Sequence, residues 1–175
     1  MRRRHPPIPA IWLMTDARMG EELWAALDRL PRGAGVVVRH YGLDPRTRRF
    51  LIRRVAKVAR KKNLTLVIAG GNQGFAHAGV HNGRGGARTR LRTESAHSRR
   101  EAVAAARRGA DAVFVSPVFA TRSHPGARAL GPVRFGLMAR ELGVPVIALG
   151  GMDAKRGRRL RGLGASGWAA IDAWL

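Results

Sequence analysis

Hydrogen-bond donors that suit a phosphate stand at the ends of short apolar runs in this sequence of 175 residues. The sharpest signal is the pair Gly150-Gly151, which closes the run Pro145 to Leu149. Glycine lets backbone N–H groups approach a phosphate closely, but a tight turn with positive φ requires the same residue. The pair alone supports a phosphate site and a structural turn equally.

A second group of donors follows the run Ala112 to Val115. Hydroxyl side chains stand at Thr121 and Ser123, and His124 comes next. These three residues would clamp an anion, whereas a capping loop is the simpler structural alternative.

Three more hydrogen-bond donors stand at or near the ends of other short runs: Arg39, His81 and Ser95. Few carboxylates stand near them in the sequence. Sites rich in hydrogen-bond donors bind phosphate and pyrophosphate, because fixed dipoles and cations stabilise the oxyanion charge. A phosphorylated small molecule is therefore the expected partner.

The charge balance widens the choice of partners. The chain carries 33 basic and 11 acidic residues, a formal net charge of +22, and all but four of the basic residues are arginine. Such a surplus is typical of proteins that bind nucleic acid, anionic membranes or phosphorylated ligands, but a bias toward arginine in the coding sequence explains it equally well. The basic residues are spread along the chain and aromatic residues make up only 6%, so nucleic acid binding is an alternative and not the main expectation.

Several other classes are excluded. The chain has no cysteine, which rules out disulfides, thiolate metal sites and cysteine catalysis. No metal-binding motif such as HExxH occurs, so no metal site is predicted from the residues. The apolar runs are too short to cross a membrane. The arginine-rich start resembles the front of a signal peptide, but Pro9 and Asp16 interrupt the apolar stretch that follows, and we expect a cytoplasmic protein.

Short β-type runs alternate with amphipathic segments. Eight strands are predicted at Ile11–Asp16, Gly35–Arg39, Leu64–Ala69, Gly79–His81, Leu91–Ser95, Ala112–Val115, Pro145–Leu149 and within Gly167–Trp174. Helices are predicted at Glu21–Leu30, Arg46–Lys62, Ser98–Arg108, Gly131–Leu142 and Lys155–Leu163, with Asp44 and Pro45 marking the start of the second.

This alternation predicts one α/β domain over residues 1–175, a compact (βα)₈ TIM barrel. The chain is short for such a barrel, and an open flavodoxin-like sheet is the alternative. Only about seven residues separate the third and fourth strands, too few for a crossover helix, so the connection there is shortened. If the barrel does not close at that point, the sheet gapes and a homodimer contact would cover the gap.

Several motifs match a known family. Ser95-Ala-His97-Ser, Arg108-Gly-Ala-Asp111 and Ser116-Pro-Val-Phe-Ala-Thr121 resemble thiamine-phosphate synthase and its relative, the thiazole tautomerase TenI. Pro145-Val-Ile-Ala-Leu-Gly-Gly151 and Gly164-Ala-Ser-Gly-Trp-Ala-Ala-Ile-Asp172 look like the last two strands of that family. The resemblance is strong from Ser95 onward and weak before Leu64, and it implies a (βα)₈ barrel.

The resemblance also implies roles. The synthase joins hydroxymethylpyrimidine pyrophosphate to thiazole phosphate with Mg²⁺ bound, and releases pyrophosphate through a dissociative step. By position, Arg39 and Ser95 match residues that hold the pyrophosphate. Thr121 and Ser123 match hydroxyls near the thiazole, Gly151 matches a glycine whose N–H binds the thiazole phosphate, and His124 stands where the family has a lysine.

Other positions depart from the family pattern. No aspartate stands at Gly70-Gly71 or near Gly86, where the family holds Mg²⁺, so the expected metal lacks its ligands. Asp172 replaces a serine, and Pro117 replaces the catalytic histidine of the tautomerase. The alternatives are therefore a transferase in which arginines supply the charge of the metal, a non-catalytic or repurposed phosphate-ligand binder, and a basic protein associated with nucleic acid.

Overall fold

A computed structural model describes residues 7–71, 73–83, 91–122, 126 and 128–175. Its strands are β1 (Ile11–Met14), β2 (Gly35–Val38), β3 (Thr65–Ala69), β4 (Gly79–His81), β5 (Arg92–Ala96), β6 (Ala112–Val115), β7 (Val146–Leu149) and β8 (Gly167–Ala170). Its α-helices are α1 (Glu22–Arg29), α2 (Pro45–Lys62), α3 (Arg99–Arg107), α4 (Gly131–Ala139) and α5 (Ala154–Leu160). Of the predicted site residues, Ser123 and His124 lie outside the described residues.

The eight strands form one closed parallel barrel. Each strand pairs with the next in chain order, and β8 pairs with β1 through Ile11↔Trp168, Trp12↔Ala169 and Leu13↔Ala170. Parallel pairing places every strand's carboxyl end at the same mouth of the barrel. The predicted (βα)₈ barrel is confirmed, and the open sheet is not formed.

The barrel also closes at the shortened connection. β3 pairs with β4 through Val67↔Gly79, Ile68↔Val80 and Ala69↔His81. β4 is only three residues long and packs tightly, because a Cβ on Gly79 would lie 2.8 Å from the Leu91 carbonyl oxygen. The sheet does not gape here, so this reason for a homodimer is removed, and a homodimer stays an untested prediction.

Large apolar side chains fill the inside of the barrel. Trp12 and Phe114 are fully buried and meet edge to face with ring centroids 5.3 Å apart. Gly35 faces the Trp12 ring, and a Cβ there would collide with it. Burying two such aromatic rings contributes several kcal/mol to stability, at about 25 cal/mol per Å² of apolar surface.

The helices begin where the sequence supplies caps. Asp44 accepts the N–H groups of Arg46 and Thr47 at the start of α2, as Asp44 and Pro45 predict. At α3, Ser98 accepts the Glu101 N–H, and the Glu101 carboxylate accepts the His97 N–H in return. The Ser98 cap fixes the start of the helix, and the Glu101 carboxylate holds the main chain one residue before the cap.

Two predicted helices end three residues earlier than expected, and the eighth strand lies within its predicted range. The helix predicted to reach Leu142 stops at Ala139, because Glu141 and Gly143 take positive φ and cannot continue it. The arginine-rich helix ends at Leu160 and passes into a 3-10 turn, Arg161–Leu163. β8 ends at Ala170, after which Trp174 turns back to stack on Trp168 at 5.5 Å. No helix in the described ranges is both long and apolar enough to span a membrane.

Candidate phosphate site at the barrel mouth

A cavity of about 120 Å³ that opens to solvent lies at the carboxyl ends of the strands. Its walls come from the segments that follow β2, β5, β6, β7 and β8. They contain Arg39, His97, Ser116, Pro117, Thr121, Leu149, Gly150, Gly151, Met152, Ala170, Ile171 and Asp172. Four of the predicted site residues therefore share one cavity: Arg39, Thr121, Gly150 and Gly151.

The pair Gly150-Gly151 forms a tight turn at this cavity. Both residues have positive φ, +94° and +58°. A Cβ on Gly150 would lie 2.7 Å from the Pro117 Cα, and one on Gly151 would collide with the Ala120 carbonyl oxygen. The turn therefore requires glycine at both positions for structural reasons. In the described part of the chain, no acceptor takes the Gly151 N–H, so this donor remains available to a ligand.

Arg156 lies beside this turn and was missed by the sequence analysis. Its guanidinium donates to the Gly151 carbonyl oxygen and lies 4.6 Å from the centre of the Phe119 ring. The Arg156 side chain is 45% exposed, and its Nε lies 3.9 Å from the carboxylate of Asp153, which also caps the helix. An arginine in the first turn of the helix that follows Gly-Gly is the signal that would have found it.

Arg39 enters the cavity from the end of β2, but its charge is already engaged. Its Nη2 donates to Asp16 Oδ2 at 2.6 Å, and its Nε donates to the Thr15 carbonyl oxygen at 3.0 Å. Burial alone would raise the pKa of Asp16, but hydrogen bonds from Arg18 and the charges of Arg18 and Arg39 outweigh burial and lower it. Asp16 is therefore ionised at neutral pH and neutralises Arg39.

Asp172 brings a second carboxylate to the cavity. Arg122 lies against it, with Nη2 3.3 Å from Asp172 Oδ1 and Nε 3.3 Å from Oδ2. The Arg122 side chain is 74% exposed. A bound anion would compete with Asp172 for Arg122, and it would be repelled by the carboxylate.

His81 and Ser95 belong to a buried hydrogen-bonded chain at β4 and β5. His81 Nδ1 lies 2.9 Å from Thr93 Oγ1, and His81 Nε2 lies 3.0 Å from Ser95 Oγ. Burial, and secondarily the charge of Arg39, lowers the pKa of His81 to about 4. His81 is therefore neutral at pH 7. Because both ring nitrogens have partners, a role for His81 in ligand binding would pass through the hydroxyl of Ser95.

Arg48 adds a buried cation near this end of the barrel. It lies on the inward face of α2 with Ile52, and its Nη2 donates to the carbonyl oxygens of Ala69 and Arg39 at 2.7 and 3.1 Å. These bonds tie the ends of β2 and β3 together. The sequence analysis missed Arg48, although its spacing of four residues from Ile52 places both on the same helical face.

Comparisons with known proteins identify the family. A model described as thiamine monophosphate synthase matches residues 11–174. The chain belongs to this family. Members of the thiamine monophosphate synthase family that resemble it include the thiamine-phosphate synthases of Chloroflexus aurantiacus, 35% identical over 80 residues, and Geobacillus thermodenitrificans, 38% identical over 81 residues.

These alignments are partial. Each covers 45% of this chain and 37% of the relative, so the matched stretch is well under half the length of the relatives' chains. Thiamine phosphate pyrophosphorylase from Pyrococcus furiosus has the same fold, with a TM-score of 0.78 and 22% identity over 93% of this chain and 85% of that one. Nitroalkane oxidase from Streptomyces ansochromogenes also shares the barrel, at a TM-score of 0.66 and 15% identity over 97% of this chain and 66% of that one.

The Mg²⁺ that the thiamine monophosphate synthase family implies does not fit the residues described here. Within the described ranges, no group of three or more histidine or carboxylate side chains lies together. The two carboxylates nearest the mouth, Asp16 and Asp172, are each paired with arginine. Glycines occupy the end of β3, at Gly70 and Gly71. Mg²⁺ is usually held by one or two carboxylates together with substrate phosphates, and within the described ranges each carboxylate at the mouth is already paired with an arginine.

Proposed function

We propose that the protein binds a phosphorylated ligand of thiamine biosynthesis at the barrel mouth, with the phosphate placed on the Gly150-Gly151 turn. The observation that carries this proposal is the Gly151 N–H, which has no acceptor among the described residues, beside the Arg156 guanidinium. A main-chain donor and an arginine fork together supply the charge-assisted hydrogen bonds that a phosphate needs. Family membership supports the ligand class.

Arg39, Ser95 and His124 are proposed to hold the second charged group, a pyrophosphate, whereas Thr121 and Ser123 are proposed to contact the thiazole side of the ligand. Arg39 and Thr121 line the same cavity as Gly151. Arg48 adds buried positive charge behind Arg39 through its bond to the Arg39 carbonyl oxygen. For this anion to bind, Arg39 must leave Asp16 or share its N–H groups between the carboxylate and the ligand.

The reaction we propose is the synthesis of thiamine phosphate that the relatives' name describes. The family resemblance implies a pyrimidine pyrophosphate and a thiazole phosphate as its substrates, with pyrophosphate as the leaving group. In this chain, arginines and main-chain donors would hold the negative charge of the departing pyrophosphate, because the described residues give no metal site. Such stabilisation by fixed donors requires no protein carboxylate. The reaction is proposed to take place in the cytoplasm.

Two measurements test the proposal. Calorimetry with thiamine phosphate and with pyrophosphate measures binding, and incubation with both substrates, with and without Mg²⁺, measures formation of thiamine phosphate. We expect binding of both anions and a slow turnover that depends little on Mg²⁺. Binding without turnover would leave the non-catalytic alternative, and no binding of either anion at millimolar concentration would reject the phosphate site.

A further inference from the structure

Helix α2 concentrates the positive charge of the protein on one outer face. Its 18 residues include nine arginines and lysines and no acidic residue. Five of them recur at helical spacing and form what is here called the α2 basic stripe: Arg46, Arg49, Arg53, Lys57 and Arg60. All five are exposed, and they lie opposite the buried face formed by Ile52, Val55 and Ala59.

The stripe is long, and the carboxylate at its start, that of Asp44, is bonded to the main-chain N–H groups of Arg46 and Thr47. At 1.5 Å per residue it extends about 21 Å, with successive cations about 5–6 Å apart. Among the described residues, no ion pair joins a cation of α2 to a carboxylate. Arg49 donates from Nη2 to the Gln73 carbonyl oxygen at 3.3 Å and is exposed, so its charge, like those of the other four cations, is open to a partner.

Phe50 and Arg54 flank the stripe. Phe50 is 62% exposed, and the guanidinium of Arg54 lies 4.0 Å from the centre of the Trp24 ring and 6.0 Å from that of Phe50. These contacts hold Arg54 against the surface, beside the line of cations. One exposed ring gives a single stacking position, which is too little to read a series of bases.

We infer that the α2 basic stripe binds the phosphate backbone of a nucleic acid, independently of base sequence. A nucleic acid strand carries one phosphate per about 3.4 Å of duplex axis, so about six phosphates pass along the length of the stripe. Arginine forks suit phosphate oxygens, and four of the five residues are arginine. This surface lies on the outside of the barrel and does not depend on the function proposed for the mouth.

A membrane surface fits the helix less well. Helices that lie in a membrane interface bury their apolar face among the lipid chains. In α2 that face is already covered, since Ile52 and Val55 are fully buried against the barrel. The cations that remain outside form a narrow line, which matches a strand of phosphates better than a plane of headgroups.

The test compares two triple variants with the same loss of charge. The stripe variant carries the substitutions Arg53→Gln, Lys57→Gln and Arg60→Gln. The control variant carries Arg100→Gln, Arg107→Gln and Arg134→Gln, at exposed positions of α3 and α4 across the barrel. Binding of labelled 20-base-pair duplex DNA and duplex RNA is measured by fluorescence anisotropy over a series of KCl concentrations, with phosphatidylserine vesicles and free pyrophosphate as separate arms.

For the unaltered protein, five phosphate contacts predict a slope of log K against log salt of about −4.5, at about −0.9 per contact. The stripe variant should bind with a slope shallower by about 2.7, whereas the control variant should keep the original slope. Binding of DNA, of RNA or of both supports the inference and identifies the nucleic acid.

Four outcomes would overturn the inference: no binding of either duplex, equal weakening in both variants, binding to vesicles without binding to nucleic acid, or displacement of the duplex by pyrophosphate. Equal weakening would mean that the net charge acts without a defined surface. Displacement would place the duplex at the mouth. Failure of phosphate binding at the mouth leaves the salt slopes and the comparison of the two variants unaffected.

Discussion

The guanidinium of Arg39 lies 2.6 Å from the carboxylate of Asp16, with both side chains about one fifth exposed at the barrel mouth. The two residues stand at the ends of neighbouring strands, β2 and β1. The arginine best placed to receive a pyrophosphate is therefore held by an internal anion. Ligand binding at this position is a competition between the Asp16 carboxylate and the ligand.

Removing that competitor should strengthen anion binding. In Asp16→Asn, the side chain keeps an oxygen that can accept the Arg18 N–H, but it loses the charge that holds Arg39. A partly exposed ion pair contributes up to about 1 kcal/mol, so pyrophosphate should bind about three- to fivefold more tightly, as measured by calorimetry.

The control for this variant is Asp28→Asn, which removes one exposed carboxylate from α1. It changes the net charge by the same amount and should leave the affinity for pyrophosphate within experimental error. Weaker binding by Asp16→Asn than by the unaltered protein would show that Asp16 orients Arg39 for the ligand and does not compete with it.

Stability should fall on mild acidification because of His81. Its pKa is about 4 in the folded protein and 6.5 for the unperturbed group, so the unfolded chain binds the proton more readily. The stabilisation is complete above pH 6.5 and is lost as the pH falls toward 4. The difference amounts to roughly 3 kcal/mol, of which roughly 2 kcal/mol is lost by pH 5.

Urea unfolding at several pH values between about 7.5 and 5 measures this loss. His40, whose pKa is lowered mainly by burial, acts in the same direction, so the comparison is made between variants. His81→Gln should flatten the profile, whereas His77→Gln, at an exposed position, should preserve it. If the unfolding free energy of His81→Gln falls with decreasing pH as steeply as that of the unaltered protein, His81 is not the source of the sensitivity to acid.

The order of the strands was predictable because most of the runs are apolar and end in glycine or a polar residue; β5, with the sequence Arg-Thr-Glu-Ser-Ala, is polar. The segment Gly79–His81 was recognised even though no helix precedes it in residues 70–71 and 73–78. Closure of the barrel at that point was not predictable. It depends on the fit of a three-residue strand against Val67 and Leu91, which is a matter of packing in three dimensions.

The site was predictable where strand ends alone decide the position, as at Gly150 and Gly151. Contacts between residues that lie far apart in the sequence were not predictable, because they depend on the direction in which each side chain points. Asp16 was recognised only as the polar end of the first strand, and its bond to Arg39 spans 23 positions of sequence. Arg156 likewise appears only when α5 folds back over Phe119.

Gly151→Ala should destabilise the protein and abolish phosphate binding. The residue has φ of +58°, and a Cβ would collide with the Ala120 carbonyl oxygen. Strain of this kind costs about 2 kcal/mol or more, which should lower the midpoint of thermal unfolding by about 4–8 °C. Gly162→Ala is the matched control, because nothing lies within 4 Å of its Cβ position. Equal unfolding midpoints for the two variants would contradict this account of the turn.

Arg156→Gln should weaken binding of thiamine phosphate without affecting the fold. The lost guanidinium stacks on Phe119 and donates to the Gly151 carbonyl oxygen beside the proposed phosphate position. A charge-assisted hydrogen bond contributes about 1.5 kcal/mol, so the dissociation constant measured by calorimetry should rise about tenfold. Arg159→Gln removes an exposed arginine from the same helix and should bind like the unaltered protein. If both variants lose affinity equally, the general positive potential attracts the ligand. If neither does, the phosphate binds away from the Gly150-Gly151 turn.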